Sequence, residues 1–181
     1  IPVIYTEKQK CYIMNRNKKN VQKWGNTMIT RQNTKTVYDL VSHAGDIHGD
    51  HVFLRYEENE VVYEVTYGGF AADAMAVAAW AQAQTEALGH RVRVGLLGGS
   101  SHHYLAVLLG VMASGGVSIP LDVQMNADTF CDCLDRSDVD VLFYDWDYHV
   151  LADEAKDRCQ NVRECISLQH GRHVACSDNV I

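Results

Sequence analysis

Short apolar segments alternate with helical segments through the second half of the sequence. Four segments have the apolar, β-branched character of buried strands: Arg91 to Leu97, Val117 to Leu121, Val139 to Tyr144 and Glu164 to Leu168. Helical patterns lie between them, at 102 to 113, 127 to 136 and 149 to 159. Because short connections between such elements produce right-handed βαβ units, this order predicts an α/β fold with a mainly parallel sheet flanked by helices on both faces.

An amphipathic helix is predicted ahead of this alternation. Thr36 is placed as its N-cap, with Asp39 three residues later as the partner in a capping box, and glycines from Gly45 to Gly49 favour its end. Residues 1 to 35 are polar and irregular, with a short extended piece at Ile1 to Tyr5 and a turn at Trp24, and we interpret them as an N-terminal arm. Residues 36 to 181 are then the α/β subdomain.

A hairpin and a long helix follow. His51 to Tyr56 and Val61 to Tyr67 are β-branched and aromatic, and the charged tetrapeptide between them predicts an antiparallel hairpin. The alanine-rich segment from Gly68 to Leu88 predicts a long helix, with Gly89 as its C-terminal stop.

The uncharged stretch LLGVMASGGVSIPLD, Leu108 to Asp122, makes the most detailed local prediction. The helix from 102 to 113 is apolar nearly all round, so it is expected to be buried on most sides. Gly115 and Gly116 predict a close approach of helix and strand, and Pro120 must lie at a strand end or on a sheet edge because it has no N–H to donate. Asp122 then lies at the carboxyl edge of the sheet, and its expected role is to hold the following turn.

The composition limits the classes of function. With 181 residues the chain is long enough for one buried domain, and 16 basic against 23 acidic side chains give a net charge of −7. The basic segment Asn15 to Lys23 is interpreted as a solvated arm, so no nucleic-acid partner is expected. No segment reaches the roughly 18 to 20 uninterrupted apolar residues that span a bilayer, which predicts no transmembrane segment and leaves peripheral membrane contact open.

The cysteines predict a reducing compartment. Six of them occur without a secretory pattern at the start of the sequence, so the expected location is the cytoplasm and the expected state is the free thiol. They are interpreted as small buried apolar side chains rather than metal ligands. The positions are Cys11, Cys131, Cys133, Cys159, Cys165 and Cys176.

Three groups of polar residues are candidate sites, and each has a plainer interpretation that we prefer. Gly98 to Ser101 could offer amides to an anion, but fits no nucleotide-binding glycine pattern, so a tight turn with a serine cap is predicted. The histidines near one helix end, with two aspartates, match no metal-ligand spacing, and the remaining histidines are predicted at the surface. A series of aspartates lacks the glycine and glutamate of a calcium loop and is interpreted as solvated helix-end charge. These residues are His43, His48, His51, Asp46 and Asp50; His102, His103, His170 and His173; and Asp132, Asp135, Asp138 and Asp140.

The order of these motifs resembles the N-terminal part of the AMP-forming acyl-CoA synthetases of the adenylate-forming superfamily. A Thr-Tyr pair opens the first long helix there, and a segment like G-x-V-x-P-L-D follows an apolar helix. The matching residues here are Thr66, Tyr67, Gly116, Val117, Pro120, Leu121 and Asp122. Met14 to Thr27 is similar to the start of long-chain fatty acid CoA ligases, and the similarity extends to about Leu168.

The resemblance implies a reaction that joins a fatty acid to ATP as an acyl-adenylate and then transfers the acyl group to coenzyme A. The family's phosphate loop ending in Pro-Lys-Gly, its ribose-binding segment and its distal lysine have no counterpart in these residues. We therefore expect an N-terminal fragment that is an inactive scaffold, with no catalytic, cofactor-binding or metal residue of its own. ATP, Mg²⁺ and coenzyme A are implied only for the full-length parent.

The expected partners are the remainder of its own chain and, in the parent, a fatty acid substrate. Self-association is also expected, because an incomplete sheet leaves an unpaired edge. Two alternatives stay open: a stand-alone interaction module without catalysis, and, less favoured for lack of the glycine fingerprint, a Rossmann-type nucleotide-binding domain.

Overall fold

The computed structural model describes residues 29, 33 to 58 and 61 to 168, and these contain six strands and five α-helices. In chain order the elements are α1 (Val37–His48), β1 (Val52–Glu58), β2 (Val61–Thr66), α2 (Tyr67–Leu88), β3 (Arg93–Leu97), α3 (His102–Ala113), β4 (Val117–Leu121), α4 (Ala127–Arg136), β5 (Val141–Tyr144), α5 (His149–Arg158) and β6 (Glu164–Ser167). A 3₁₀ turn, Trp146–Tyr148, leads into α5. The predicted arm lies almost entirely outside the described residues.

Two separate sheets form, as the pattern predicts. β1 and β2 make an antiparallel hairpin, and the other four strands form a parallel sheet in the order β4-β3-β5-β6. The register pairs Leu96 of β3 with Pro120 of β4 and with Phe143 of β5. The α/β fold with a mainly parallel sheet and an antiparallel hairpin is therefore confirmed.

Helices cover both faces of the parallel sheet. On one face Val94, Leu96 and Phe143 pack against side chains of α2 and α3. On the other face, Leu142 and Tyr144 pack against side chains of α4 and α5. A third cluster joins α1 and the hairpin to α2 and α3. Burial of these apolar faces, at roughly 25 cal/mol per Å², is the main stabilising contribution to the fold.

The helix ends follow local sequence signals. Thr36 and Asp39 form the complete capping box of α1, with Asp39 N–H donating to Thr36 Oγ1 at 3.0 Å and the Asp39 carboxylate accepting the Thr36 N–H at 3.0 Å. Ser101 caps α3 by accepting the Tyr104 N–H. Gly89 ends α2 with φ 74°, a left-handed conformation that favours glycine.

The uncharged stretch folds largely as predicted. Gly115 adopts φ 84°, and a β-carbon on Gly116 would lie 3.0 Å from the Val111 side chain and 3.1 Å from that of Val92. Pro120 lies in the edge strand β4. The helix α3 is covered on most sides, as predicted: Met112, at 45% exposure, is the single exposed residue among its twelve.

Two strands begin later than their composition predicts. β3 starts at Arg93 rather than Arg91, since the Val92 N–H donates to Thr85 Oγ1 at 3.0 Å instead of joining the sheet. β5 starts at Val141 because the Val139 N–H bonds back to the last turn of α4. Side-chain and helix-end acceptors thus compete with the strand ladder for these donors.

Candidate functional site

The carboxyl edge of the parallel sheet contains a topological switch point. β3 continues into α3 on one face of the sheet, while its neighbour β5 continues into α5 on the other. The two following segments therefore diverge from the ends of neighbouring strands, which is the position where open α/β sheets form a crevice. Open α/β sheets bind ligands at such crevices, so this position is the candidate site.

Asp145, the residue after β5, occupies this crevice. Its backbone N–H donates to the Leu97 carbonyl at 2.9 Å, and its carboxylate Oδ2 accepts the Gly99 N–H at 2.7 Å. A β-carbon at Gly98 would collide with the Asp145 carboxylate, so a larger residue here would displace that side chain. One carboxylate thereby ties the loop after β3 to the end of β5.

The crevice is electrostatically unusual. Burial raises the pKa of the Asp145 carboxyl above its usual 3.8, the Gly99 N–H partly opposes that shift, and the charge of Asp147 adds to it. Burial and the nearby Asp145 charge also raise the pKa of the Tyr104 hydroxyl above 10.0. The site therefore presents a hydrogen-bond acceptor and a neutral phenol, which suit a ligand that donates hydrogen bonds.

We expect Asp145→Asn to change the pH dependence of stability. A raised pKa means that the folded chain binds this proton more tightly than the unfolded chain, so the contribution is present at acid pH and lost as pH rises through the folded-state pKa. Relative to the variant, the wild type should gain free energy of unfolding as pH falls from neutrality toward 4. Urea unfolding of both proteins across this range measures the difference, and a flat or opposite trend would contradict the assignment.

The two predicted turns at this edge are confirmed. The Gly99 N–H donates to the Asp145 carboxylate and the Ser101 hydroxyl caps α3, so Gly98 to Ser101 forms a turn with a serine cap. The Asp122 carboxylate accepts the Gln124 N–H at 2.9 Å and so holds the turn after β4. Ser101 thus stabilises the connection after β3, and Asp122 stabilises the connection after β4.

The surface assignment of His102 was wrong. Its side chain is 11% exposed, and its Nε2 lies 3.0 Å from the Asp73 carboxylate on α2. The ring also packs against those of Tyr56 and His103. The first residue of α3 turns inward because α2 and the hairpin converge there, which joins the hairpin to the two central helices beside the crevice.

The other histidine and aspartate groups carry no metal chemistry in the described part of the chain. The His48 ring contacts those of His51 and Tyr67 near the end of α1. No group of three or more His, Cys, Asp or Glu side chains is arranged to hold a metal ion among residues 33 to 58 and 61 to 168. We therefore assign no metal ligand among these described residues. His170 and His173 lie outside the described residues.

The aspartates in and after α4 divide into two kinds. Asp132 and Asp138 are solvated, as predicted, and form exposed ion pairs with Arg136 and Arg93. Asp140 was wrongly interpreted as solvated: it is 5% exposed, and its carboxylate accepts the Arg93 N–H at 2.8 Å. Asp140 is buried because it directly precedes β5, which lies between β3 and β6 in the sheet.

A polar cleft of about 250 Å³ opens at this amino edge of the sheet. Most of the charges around it pair with one another, which disfavours binding of a charged ligand. Its lining residues are His90, Arg93, Asp138, Asp140, Gln160, Asn161 and Arg163.

The cysteines of the described residues are free thiols, as predicted. Cys131 and Cys159 are buried, whereas Cys133 and Cys165 are half-buried. Cys11 and Cys176 lie outside the described residues.

Asp145 and Asp73 were not singled out from the sequence. A signal for Asp145 exists, since it follows the apolar strand VLFY just as Asp122 follows VSIPL. Asp73 carries no such signal, because its partner His102 lies 29 residues away on another helix.

Comparison with known proteins places this geometry in a family. Residues 41 to 180 match the family model of the AMP-binding enzymes. A comparison with curated proteins gives no significant match. No helix of the described residues is both long and apolar enough to cross a bilayer.

Solved structures share the fold at low sequence identity. The N-terminal domain of FACL13 from Mycobacterium tuberculosis is 21% identical with a TM-score of 0.61, over 74% of this chain and 34% of that one. The Mycobacterium tuberculosis fatty acyl CoA synthetase is 21% identical with a TM-score of 0.60, over 73% and 26%. A fatty acid AMP ligase from Legionella pneumophila is 16% identical with a TM-score of 0.57, over 78% and 25%.

The fold and the family match agree. The chain belongs to the AMP-binding enzyme family, and its α/β fold is that of the N-terminal part of adenylate-forming enzymes. It spans about a third or less of the length of these three solved relatives.

Proposed function

We propose that this chain is the N-terminal part of an ATP-dependent ligase. The ligase activates a long-chain fatty acid as an acyl-adenylate and then transfers the acyl group to coenzyme A. The observation that carries the proposal is the family match over residues 41 to 180. The solved fatty acyl ligases of the same fold support the substrate class. The resemblance of Met14 to Thr27 to the start of long-chain fatty acid CoA ligases is the basis for the proposed chain length.

In this proposal the described residues act as a scaffold. Adenylation needs cationic groups and Mg²⁺ to stabilise charge at phosphorus, together with a group that positions the carboxylate. The carboxyl edge at Asp145 offers an acceptor and no arginine or lysine. The phosphate loop, the ribose-binding segment and the lysine would come from further sequence of the same protein, which would also supply ATP and coenzyme A binding.

The proposed partner of these residues is the remainder of the same polypeptide. When that remainder is absent, copies of the 181-residue chain are expected to associate with one another. Of the two edge strands of the parallel sheet, β4 and β6, the strand β4 is poorly suited to pairing with another chain. The Val117 N–H donates to the Val92 carbonyl on the inner side of β4, so the backbone groups of Ser118 and Pro120 face the outer side, away from β3. Because proline has no N–H, Ser118 is the only one of these two residues with an N–H to donate to another strand. At the β4 side of the sheet, self-association would use apolar side chains such as Val117 and Met112, which are 39% and 45% exposed.

The test is fatty-acid-dependent exchange of pyrophosphate into ATP. We expect the product of the full open reading frame to catalyse the exchange and to form acyl-CoA when coenzyme A is added, while residues 1 to 181 alone do neither. Exchange by the 181-residue chain would contradict the scaffold assignment. A full-length product that folds but shows no exchange with any fatty acid would instead favour the non-catalytic interaction module.

A further inference from the structure

Charge is distributed very unevenly along this chain. Residues 1 to 35 carry eight basic side chains and one acidic side chain, Glu7, which gives them a net charge of +7. Because the whole chain has a net charge of −7, residues 36 to 181 together have a net charge of −14. The N-terminal residues and the folded body of the protein are therefore oppositely charged, and such charges attract each other.

The negative charge is concentrated on α1 and the hairpin. Residues 36 to 66 contain seven acidic side chains and one basic side chain, Arg55, so their net charge is −6. Arg55 already pairs with Glu64 at 2.7 Å, and Asp46, Asp50 and Glu64 are exposed. α1 and the hairpin cover the same apolar cluster, so their exposed sides adjoin. We call these exposed sides the acidic surface.

The acidic surface also presents apolar side chains. Tyr38 and Leu40 of α1 are 49% and 43% exposed, and Val62 of β2 is 62% exposed. Val62 lies two residues from Glu64, so the two side chains share one face of the hairpin. A partner that carries both positive and apolar side chains would therefore fit this surface.

We propose that the basic segment Asn15 to Lys23 of the same chain docks on the acidic surface. The segment contains four basic side chains and no acidic one. Val21 within it and Trp24 directly after it supply apolar side chains for contact with those of the surface. Since one exposed ion pair contributes only about 0.2 to 1 kcal/mol, several pairs and the apolar contacts act together.

The covalent connection brings the segment within reach of the whole surface. Only the residues from 24 to 36 separate it from α1, and such a connection spans at most roughly 40 Å when fully extended. α1 itself is only about 18 Å long. A connection of this length gives a local concentration on the order of millimolar, so weak individual contacts are sufficient for docking.

Other partners match the segment less well. A nucleic acid or an anionic lipid surface that approached the segment would be repelled by the net charge of −14 on the remainder of the chain. A second copy of the chain offers the same acidic surface but lacks the covalent connection. The surface of its own chain is therefore the preferred position of the segment, which is then no longer a solvated arm.

The test is crosslinking of the full 181-residue chain with a carbodiimide, which joins a lysine amine directly to a carboxylate in contact with it. An equal mixture of isotopically labelled and unlabelled protein separates links within one chain from links between copies. We expect the lysines of the segment to link within one chain to the acidic surface, several-fold more often than to α5 on the opposite face of the parallel sheet. The diagnostic lysines are Lys18, Lys19 and Lys23, and the diagnostic carboxylates are Asp46, Asp50 and Glu64.

Salt supplies a first control. At 1 M salt the distance over which ions screen charges falls to about 3 Å, so the yield of these links should decrease several-fold. An unchanged yield would contradict docking by charge.

Two matched double variants supply the second control. Asp50→Lys combined with Glu64→Lys reverses two exposed charges of the acidic surface and should reduce the links to Asp46 several-fold. Asp153→Lys combined with Asp157→Lys makes the same change in net charge at exposed positions of α5 and should leave those links unchanged. Urea unfolding establishes that both variants are folded.

Three results would overturn the proposal. Links mainly between copies would place the segment on a second chain, and links spread evenly over both faces of the protein would show that it has no docking site. An equal loss of links in the two double variants would show that net charge, and not the acidic surface, determines its position. None of these readouts depends on ligase activity, so the proposed function stands or falls separately.

Discussion

Replacing Gly110 with alanine is expected to lower the free energy of unfolding by about 2 to 3 kcal/mol, despite a gain of roughly 1 kcal/mol in helix propensity. Gly110 lies in α3 where this helix crosses α2. An added β-carbon would lie 2.5 Å from the Ala74 carbonyl oxygen and 2.6 Å from Val77 Cβ. Since these atoms belong to the backbone and the base of a side chain, the helices themselves must separate.

The separation should be costly because α2 and α3 share two of the three apolar clusters. Ala74 and Ala106 meet in the cluster below the hairpin, while Val77 and Val111 meet in the cluster on the parallel sheet. Moving one helix therefore loosens both. Gly110→Val should be more destabilising still, since it adds two further methyl groups at the same contact.

Gly69→Ala is the matched control in α2. Its β-carbon would meet only Thr66 Oγ1, at 3.3 Å, and the residue is exposed. We expect its free energy of unfolding to change by no more than about 1 kcal/mol, with the sign set by helix propensity. Urea unfolding of Gly110→Ala, Gly110→Val and Gly69→Ala, each compared with the wild type, measures the cost of a side chain at the contact between α2 and α3. Equal stability of Gly110→Ala and Gly69→Ala would show that the two helices accommodate the added methyl group without cost.

The features predicted most accurately from sequence are those determined by neighbouring residues. The caps Thr36 and Ser101 act within three residues, and Gly115 reverses the chain at a single position. The bounds of β4 follow from Gly116 and Pro120, which are both local signals. Consequently the helices α3 and α4 and the strand β4 match their predicted residues.

The features missed from sequence depend on contacts between distant residues. His102 and Asp140 are both polar residues near predicted helix ends, where side chains are usually exposed. Their partners Asp73 and Arg93 lie 29 and 47 residues away, and only the packing of α2 on α3 and the strand order bring them together. The same reason applies to Asp145, since the switch point exists only once β5 lies beside β3.

Replacing Asp140 with alanine is expected to lower the free energy of unfolding by about 3 kcal/mol. The carboxylate is buried and accepts the Arg93 N–H at 2.8 Å, with His90 Nε2 at 3.3 Å from its other oxygen. Hydrogen bonds to charged groups contribute about 1.5 to 3 kcal/mol, and the half-buried Arg93 N–H would lose its acceptor in the variant. Both effects have the same sign.

The position of Asp140 in the sheet increases the expected loss. Its backbone N–H donates to the Arg93 carbonyl at 2.9 Å, and its carbonyl accepts the Arg163 N–H at 2.8 Å. Asp140 therefore connects the entry of the central strand β5 to both neighbouring strands. Disorder at this residue would weaken β3 and β6 together.

Two further variants separate the carboxylate's hydrogen bond from its charge. Asp140→Asn retains an oxygen that can accept the Arg93 N–H, so its loss should be about 1 kcal/mol. Asp132→Ala removes an exposed carboxylate paired with Arg136, which should change stability by less than about 1 kcal/mol. Urea unfolding at neutral pH measures all three. If Asp140→Ala were no less stable than Asp132→Ala, the buried carboxylate would not be the connection between β3 and β5 that its contacts indicate.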